Sequence, residues 1–273
     1  MAKCKLGDIC EIVSGSTPKT NIDEYWDGDI KWITPAELDD DTYIITDSVR
    51  KITEIGVRKT GLSPIPEGTV ILSSRAPIGK VAIAGCEMYC NQGFKNLICS
   101  NKISNKYLYW FLKGKKALLN ALGRGATFKE ISKSIVSEIE INVPDLVCQN
   151  EVVKTLEKVN SIISLRKQEL HVLDDLIKAR FVEMFGDVKY GIERWGGKPF
   201  KDIAINLDSK RKPVKDADRK KMQGIYPYYG ATGIVDYVND YRQDGEFLLI
   251  SEDGKALELR SKPIAFLASE KYG

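Results

Sequence analysis

QNEVVKTLEKVNSIISLRKQELHVLDDLIKARFVEMF, residues 149–185, contains neither glycine nor proline, and its apolar side chains recur at alternating steps of four and three. That spacing is the a/d pattern of a coiled coil. Pro144 before the stretch and Gly186 after it are typical of helix ends. The pattern therefore predicts a single helix of roughly 55 Å.

One helix cannot bury its own apolar stripe, so we expect a second long helix, from this chain or another, to cover it. The side chains that we expect to pair with that second helix are Leu156, Val159, Ile163, Leu170, Leu173 and Ile177.

The chain before the helix, residues 3–144, is predicted to form a mixed, strand-rich domain. Short apolar runs bounded by turn residues predict strands at 31–33, 69–72, 81–84 and 97–99. Residues 107–122 have the spacing of an amphipathic helix, which Gly123 and Gly125 would end.

After the helix, the sequence pattern starts again. GEFLLISEDGK at 245–255 parallels GTVILSSRAPIGK at 68–80, and FKDI at 200–203 parallels LGDI at 6–9. We interpret residues 189–273 as a second domain of the same kind as residues 1–144, joined to it by a coiled-coil spacer helix at 145–188. The expected fold class is α+β. The second copy has no counterpart of residues 91–144 and no second long helix, so we expect it to be incomplete.

The bulk composition is typical of a globular protein without a membrane span. The hydrophobic fraction is 43% and the charged fraction 29%, and no apolar run approaches the ~20 residues of a membrane helix. The N-terminus has no signal-peptide pattern. Six cysteines are scattered without the spacing of a metal site, which is typical of reduced thiols. We therefore expect a cytoplasmic protein with no bound metal.

Charge is distributed unevenly along the chain. Residues 1–47 carry 4 Lys/Arg and 11 Asp/Glu, a net charge of −7, whereas residues 48–134 carry 15 and 4, a net charge of +11. A stretch this basic indicates a polyanion such as DNA as partner. Alternatively, the acidic first quarter folds against the basic segment and neutralises it.

Catalytic machinery is not evident in the sequence. His171, the only histidine, lies in the predicted helix, where a solvated position is the simpler interpretation. Neither Gly-Lys pair belongs to a phosphate-binding loop, since Ser74 and Leu249 stand where that motif needs its first glycine. No catalytic residue is therefore assigned. An unrecognised nuclease or methyltransferase remains the enzymatic alternative, and it would turn over alone with Mg²⁺ or S-adenosylmethionine.

Several motifs resemble those of one known family. They are LGDICEIVSGSTPKT, IPEGTVILSSRAPIGKVAIA, NQGFKNL and LIKARFVEMFGD before residue 188, and RKPV, YPYYGATGIVDYV, FLLISEDG and LRSKPIAFLAS after it. In these motifs and their order, the chain resembles the specificity subunit of type I restriction-modification systems.

The resemblance implies a fold and a set of partners. In that family, two target-recognition domains each read one half of a bipartite site in double-stranded DNA, and two antiparallel helices hold them apart. The helices dock the methyltransferase (modification) subunits, and the restriction subunit joins this core. The resemblance thus implies a non-catalytic subunit, with S-adenosylmethionine, ATP and Mg²⁺ bound by partner subunits rather than by this chain.

The sequence departs from the family where the second recognition domain stops early. We expect a specificity subunit truncated within that domain, whether by nature, by rearrangement or as a fragment. An antiparallel homodimer would cover the unpaired helix stripe, and it would read a palindromic site through two copies of residues 1–144. In the alternative interpretation, the chain is an interaction protein that binds methyltransferase or specificity subunits through its helix without reading DNA.

Polar turns of the basic first domain carry side chains suited to phosphates and base edges. The candidate DNA-binding residues there are Ser73, Ser74, Arg75, Lys80, Asn91, Gln92, Lys95, Arg124, Thr127, Lys129 and Lys133. For the turn at 91–94, the alternative is a structural role with Phe94 in the core.

The second copy offers a further set of candidates: Lys210, Arg211, Lys212, Tyr228 and Tyr229. For the two tyrosines, aromatic packing around a proline turn is the alternative to contact with DNA.

Overall fold

A computed structural model describes residues 2–125, 129–187, 196–251, 264–269 and 271–273. The chain divides into two compact units, Met1–Phe181 and Val182–Gly273. The spacer helix, which the sequence set apart at 145–188, is thus grouped with the first unit as far as Phe181.

The first unit contains ten described strands in three sheets. A five-stranded sheet has the order β2-β9-β6-β7-β4, a three-stranded sheet the order β5-β3-β8, and β1 pairs with β10. Only β4–β7 and β3–β8 pair in parallel among these strands. The strands are β1 Ala2–Lys5, β2 Cys10–Ser14, β3 Trp26–Ile33, β4 Ile44–Ile45, β5 Arg50–Ile52, β6 Val70–Ser73, β7 Val81–Ala84, β8 Tyr89–Cys90, β9 Phe94–Cys99 and β10 Glu140–Val143.

Six described α-helices accompany these sheets. They are α1 Leu6–Ile9, α2 Glu54–Thr60, α3 Asn105–Gly114, α4 Lys116–Leu122, α5 Lys133–Ser137 and α6 Leu146–Phe185. Short 3-10 turns lie at Asp23–Tyr25 and Pro35–Glu37.

The central strands β6 and β7 are buried on both faces, which accounts for their continuous apolar sequences. Val70 and Leu72 face one cluster, which α3 and α4 complete with side chains such as Leu108. Ile71 faces a second cluster, which includes Phe94. The strand-rich α+β architecture predicted from the sequence is confirmed.

The predicted strands all occur, but the predicted helix at 107–122 is two helices. Gly114 ends α3, and Lys115 leaves the helical conformation before α4 begins. Glycine is a weak helix former, so the helix is interrupted there at little cost. The sequence pattern continued through the break because both helices present apolar side chains to the same cluster.

Helix α6 begins inside the packing of the first unit and then leaves it. Gln149 is fully buried: its side chain accepts a hydrogen bond from the Ser104 amide (2.8 Å) and donates to the carbonyls of Lys102 (3.0 Å) and Pro144 (2.8 Å). Val153, one turn later, is also buried. From residue 161 to Phe185 every residue of the helix is exposed.

Two further contacts hold the helix to the first unit. The Tyr43 hydroxyl donates to Glu157 (2.6 Å), which also receives a hydrogen bond from Lys106 (2.9 Å). Lys167 pairs with Asp41 at 2.9 Å. At 40 residues the helix is about 60 Å long, and its residues from 161 onward are exposed.

The second unit contains two described pairs of antiparallel strands. They comprise β11 Gln223–Gly230 with β12 Gly233–Val238, and β13 Phe247–Ile250 with β14 Ala265–Ala268. One short helix, α7 Asp216–Arg219, precedes them, and 3-10 turns lie at Phe200–Asp202 and Asp208–Lys210. Strand β13 confirms that the repeated GEFLLIS stretch forms a strand as GTVILSS does.

Candidate nucleic-acid interface

Three polar turns that are far apart in sequence lie together at one end of the five-stranded sheet. The Ser74 amide donates to the Gly93 carbonyl (2.7 Å), and the Ser74 carbonyl accepts from the Ile131 amide (2.9 Å). These bonds join the turns at 73–80 and 91–95 to a third turn, of which residues 124–125 and 129–131 are described. We call these three segments the three-turn cluster. The sequence had identified all three turns as candidates, and the structure brings them onto one surface.

The first turn of the cluster is closed by the Ser73 side chain. Its hydroxyl donates to the Pro77 carbonyl (2.8 Å) and accepts from the Lys80 amide (2.8 Å), while Gly79 donates to the Ser73 carbonyl (3.0 Å). Gly79 has a φ of 90°, which favours glycine. Ser73 and Ser74 are 0% exposed, so they shape the turn and cannot touch DNA in this conformation.

Lys80 also has a structural role rather than the predicted contact role. Its ammonium donates to the carbonyls of Pro35 (3.2 Å) and Leu38, and it thereby fixes the loop that follows β3. Backbone carbonyls replace the water that a surface lysine would otherwise bind.

The second turn is held by hydrogen bonds in which backbone amides are the donors. The Asn91 side chain accepts from the Gly93 amide (2.8 Å), and the Asn91 amide donates to the Ile33 carbonyl (3.0 Å). Phe94 is fully buried, as the structural alternative predicted. Gly15 approaches this turn so closely that a Cβ there would lie 2.1 Å from the Asn91 carbonyl oxygen. Gln92 remains exposed, and its side chain accepts from Thr17.

Glu130 links the three turns through its carboxylate. One oxygen accepts from Arg75 Nε (2.9 Å) and the other from Lys95 Nζ (3.1 Å). Burial opposes ionisation of Glu130, but the hydrogen bonds and charges of Lys95 and Arg75 outweigh it and lower the pKa of this carboxyl. Lys95 is itself buried beneath the surface, so it neutralises Glu130 from below and is not available to DNA.

The exposed face of the three-turn cluster is positive. Arg75, Gln92, Arg124 and Lys129 are exposed there, and Glu130 is half-buried between them. The Arg124 backbone pairs with Glu130 through two hydrogen bonds of 3.0 and 2.9 Å, which fixes the third turn. Thr127 lies outside the described residues. Lys133 is exposed on α5.

The acidic first quarter neutralises little of this basic surface. Among the described residues, two ion pairs join residues 1–47 to residues 48–134: Asp47 with Lys51 (3.7 Å) and Asp40 with Lys116 (2.5 Å). Neither involves the three-turn cluster, so the cluster keeps its positive charge.

In the second unit, the candidate residues divide into exposed cations and packed aromatics. Lys210, Arg211 and Lys212 are exposed, and Arg211 pairs with Asp208 at 3.6 Å. The Tyr228 hydroxyl accepts from the Val214 amide (2.8 Å), and the Tyr229 ring packs edge-on against Tyr272 at 5.6 Å. The packing alternative for the two tyrosines therefore describes their contacts.

The predicted helix-pairing residues lie along α6. Leu156 is half-buried near the domain, whereas Leu170 and Ile177 are 63% and 68% exposed. Val159, Ile163 and Leu173 are exposed too. Their stripe has no covering helix within the described residues. His171 lies on the same helix, exposed and 3.6 Å from Asp175.

Other kinds of site have no support in the described part of the chain. No group of three or more His, Cys, Asp or Glu side chains there is arranged to hold a metal ion. No helix among those residues is long and apolar enough to cross a membrane.

Sequence reasoning missed Glu130, Tyr43 and Glu157. Glu130 is one of only four acidic residues between 48 and 134, and this rarity was a usable signal for a buried pair. Tyr43 and Glu157 are distant in sequence, and no local pattern joins them.

A sequence model described as "Type I restriction modification DNA specificity domain" matches residues 1–174, and the chain belongs to that family. It is 39% identical over 186 residues to the MjaIX specificity subunit of Methanocaldococcus jannaschii, covering 67% of this chain and 43% of that protein. It is 25% identical over 272 residues to the EcoprrI specificity subunit of Escherichia coli, covering 91% of this chain and 66% of that protein.

Solved structures show the same fold. A chain from a type I restriction-modification system superposes with a TM-score of 0.54 at 19% identity, covering 65% of this chain and 43% of that one. The S subunit from M. genitalium superposes with a TM-score of 0.50 at 15% identity, covering 99% of this chain and 68% of that one. The present chain thus spans about half to two thirds of the length of these relatives.

Proposed function

We propose that this chain gives a type I restriction-modification complex its DNA sequence specificity, and that the three-turn cluster contacts the DNA. Family membership supports the first part of this proposal. The second part depends on one observation: three distant turns are joined around Glu130 so that Arg75, Gln92, Arg124 and Lys129 are exposed together. Guanidinium, amide and ammonium groups are the donors that proteins use for phosphates and base edges.

We also propose the partners of such a subunit. Methyl transfer and cleavage belong to the methyltransferase and restriction subunits, which would carry S-adenosylmethionine, ATP and Mg²⁺, and this chain would add no catalytic group. The complex would work in the cytoplasm, where bacterial and archaeal DNA is found.

We propose that a second copy of this chain packs on the apolar stripe of helix α6. Its a/d stripe, which includes Arg166 and Arg180, is spaced symmetrically about Gln168. An antiparallel copy therefore places Val159 opposite Ile177 and Ile163 opposite Leu173, and it places Leu170 and Leu156 opposite Arg166 and Arg180. Such a dimer would present two three-turn clusters related by a twofold axis. The DNA site expected for it is palindromic with a fixed gap.

The test of DNA reading is sequence selection from a random duplex library. It uses this chain together with its cognate methyltransferase subunit. We expect one enriched motif, and the palindromic form with a constant gap supports the dimer. Enrichment of an asymmetric motif would indicate reading by the second unit. No enrichment despite a stable complex would contradict DNA reading and favour the interaction-protein alternative.

A pair of variants tests the location of the interface. Lys129→Ala should weaken binding to all sequences and lower the slope of log K against log salt by about 0.9, the value for one lost phosphate contact. Lys102→Ala is the matched control, because Lys102 is exposed but follows the opposite end of β9. Equal effects of the two variants would contradict the assignment of the three-turn cluster.

A further inference from the structure

Glu130 holds the Arg75 guanidinium through Nε and leaves its two terminal nitrogens available to a ligand. Its Nε donates to Glu130 at 2.9 Å, and its side chain is 44% exposed. Within the described part of the chain, the two terminal nitrogens of this guanidinium have no hydrogen-bond partner. The Nε bond fixes the plane of the group, and the edge formed by the two terminal nitrogens is not the edge that Glu130 occupies through Nε.

The backbone reinforces this orientation. Arg75 and Glu130 are also bridge partners between the first and third turns, so the two side chains start from adjacent positions. Glu130 cannot swing away easily, since its other oxygen is bound by Lys95, whose side chain is only 7% exposed. A fixed guanidinium loses less conformational entropy on binding than a free one.

The pairing with Glu130 reduces the attraction of Arg75 for an anion, because the carboxylate compensates part of the guanidinium charge. A base edge is neutral, so its binding depends on the direction of the donors more than on their net charge. The base that offers two acceptors at the spacing of a guanidinium fork is guanine, through O6 and N7 in the major groove.

We propose that Arg75 reads a guanine in the target half-site by a two-bond contact to O6 and N7, and that Glu130 is its positioning residue. The proposal rests on the DNA-reading function proposed above and names one base of the site. Lys95 contributes indirectly, because it holds Glu130 from below.

The experiment uses the full chain with its cognate methyltransferase subunit, first to select the motif with wild type, Arg75→Lys and Arg75→Ala. Duplexes are then made with each guanine of the selected half-site replaced singly by 7-deazaguanine, which lacks the N7 acceptor. We expect one position at which wild type loses roughly tenfold or more in affinity. Arg75→Lys should weaken the preference for guanine at that position, because an ammonium lacks the planar fork of a guanidinium, and it should keep the preferences elsewhere. Arg75→Ala should lose that preference altogether.

Arg58→Lys is the matched control, because Arg58 is an exposed arginine paired with a carboxylate, Glu54, on α2 outside the three-turn cluster. It should leave the selected motif unchanged. Glu130→Gln should lower the discrimination at the Arg75 position without abolishing binding. A melting curve of each variant checks its folding, and Arg75→Ala decides the matter if Glu130→Gln does not fold.

Distinct results would overturn the proposal. If Arg75→Ala keeps every base preference while wild type selects a motif, DNA reading stands and the assignment of Arg75 fails. If Arg75→Ala weakens all sequences equally and makes the salt dependence shallower, Arg75 contacts a phosphate instead. If wild type selects no motif, both the proposed function and this inference fail.

Discussion

A single hydroxyl shapes the turn that carries Arg75. Ser73 is the last residue of β6, and its side chain satisfies both the Pro77 carbonyl and the Lys80 amide. Because the position is fully buried, water cannot replace either bond when the hydroxyl is removed.

Ser73→Ala should therefore lower the free energy of unfolding by about 1–3 kcal/mol, the cost of leaving a buried polar group without a partner. Urea denaturation of the purified chain measures it. Ser161→Ala is the control, since Ser161 is exposed on α6 and its loss should change little. Equal stabilities of wild type and Ser73→Ala would show that the turn does not depend on this hydroxyl.

At the scale of single residues, the sequence predicted which residues lie in polar turns better than it predicted which of their side chains are exposed. It selected Arg75 and Lys129, which are exposed, as candidate contact residues, but it grouped the buried Ser73 and the half-buried Lys80 with them. Side-chain burial depends on strands and loops that meet only after folding. The sequence Ser73-Ser74-Arg75 therefore does not show which of the three side chains is exposed.

At the scale of elements, the orientation of α6 depends on a small polar cluster. The Tyr43 hydroxyl and the Lys106 ammonium both donate to Glu157, and the Tyr43 ring packs on Tyr109 with centroids 4.7 Å apart. The hydrogen bond from Tyr43 lowers the pKa of Glu157; burial opposes this shift, and Lys106 adds to it. The same contact raises the pKa of Tyr43, together with burial, which is the larger cause.

The lowered pKa of Glu157 predicts a pH dependence with a definite sign. A carboxyl whose pKa is lower in the folded state stabilises the fold above its ordinary value of 4.5, and this contribution is lost as pH falls through the folded-state pKa. The melting temperature of wild type should thus fall more steeply than that of Glu157→Gln between about pH 5 and pH 3.

Thermal melts at several pH values make this comparison. Glu151→Gln, an exposed position on the same helix, should follow wild type. Parallel curves for wild type and Glu157→Gln would contradict a stabilising role for the Tyr43–Glu157–Lys106 contact.

Most helices and strands could be predicted from the sequence, because the spacing of apolar residues and the positions of glycine and proline determine them. The α6 stretch was clear because it lacks glycine and proline, and β7 coincides with its predicted range. The break at Lys115 was not visible, because apolar spacing alone does not show that a helix is interrupted. How far α6 packs on the domain depends on Gln149 and Glu157, whose partners lie in other elements.

At the scale of the whole molecule, the uncovered stripe of α6 predicts self-association. If the proposed antiparallel dimer forms, Ile163 of each copy lies against Leu173 of the other. Ile163→Glu or Leu173→Lys alone should shift the dimer towards monomer, because each places a charge in an apolar seam.

The double variant should restore association, since opposite charges then face each other twice in one dimer. Sedimentation equilibrium over a range of concentrations gives the result for all four proteins. A wild type that stays monomeric, or a double variant no better than the single ones, would contradict the antiparallel arrangement.

The repeat of strand sequences indicated a second unit, and its strand pairs agree with that interpretation. Among its described residues, the buried apolar side chains are Val238 and Ala268, whereas the first unit has three clusters. A sequence repeat reports local strand formation, but the extent of a core depends on which other elements are present to cover it.

The burial of Gln149 has a consequence for hybrids in which the residues before α6 come from one parent chain and the residues after its start from another. A recombination point at the first residue of α6 would separate Gln149 from the Lys102 carbonyl, the Ser104 amide and the Pro144 carbonyl that satisfy it. A hybrid joined there would take the buried Gln149 side chain from one parent and the three backbone groups that bind it from the other. A hybrid joined beyond Lys167, which pairs with Asp41, would take Gln149 and its three hydrogen-bond partners from the same parent.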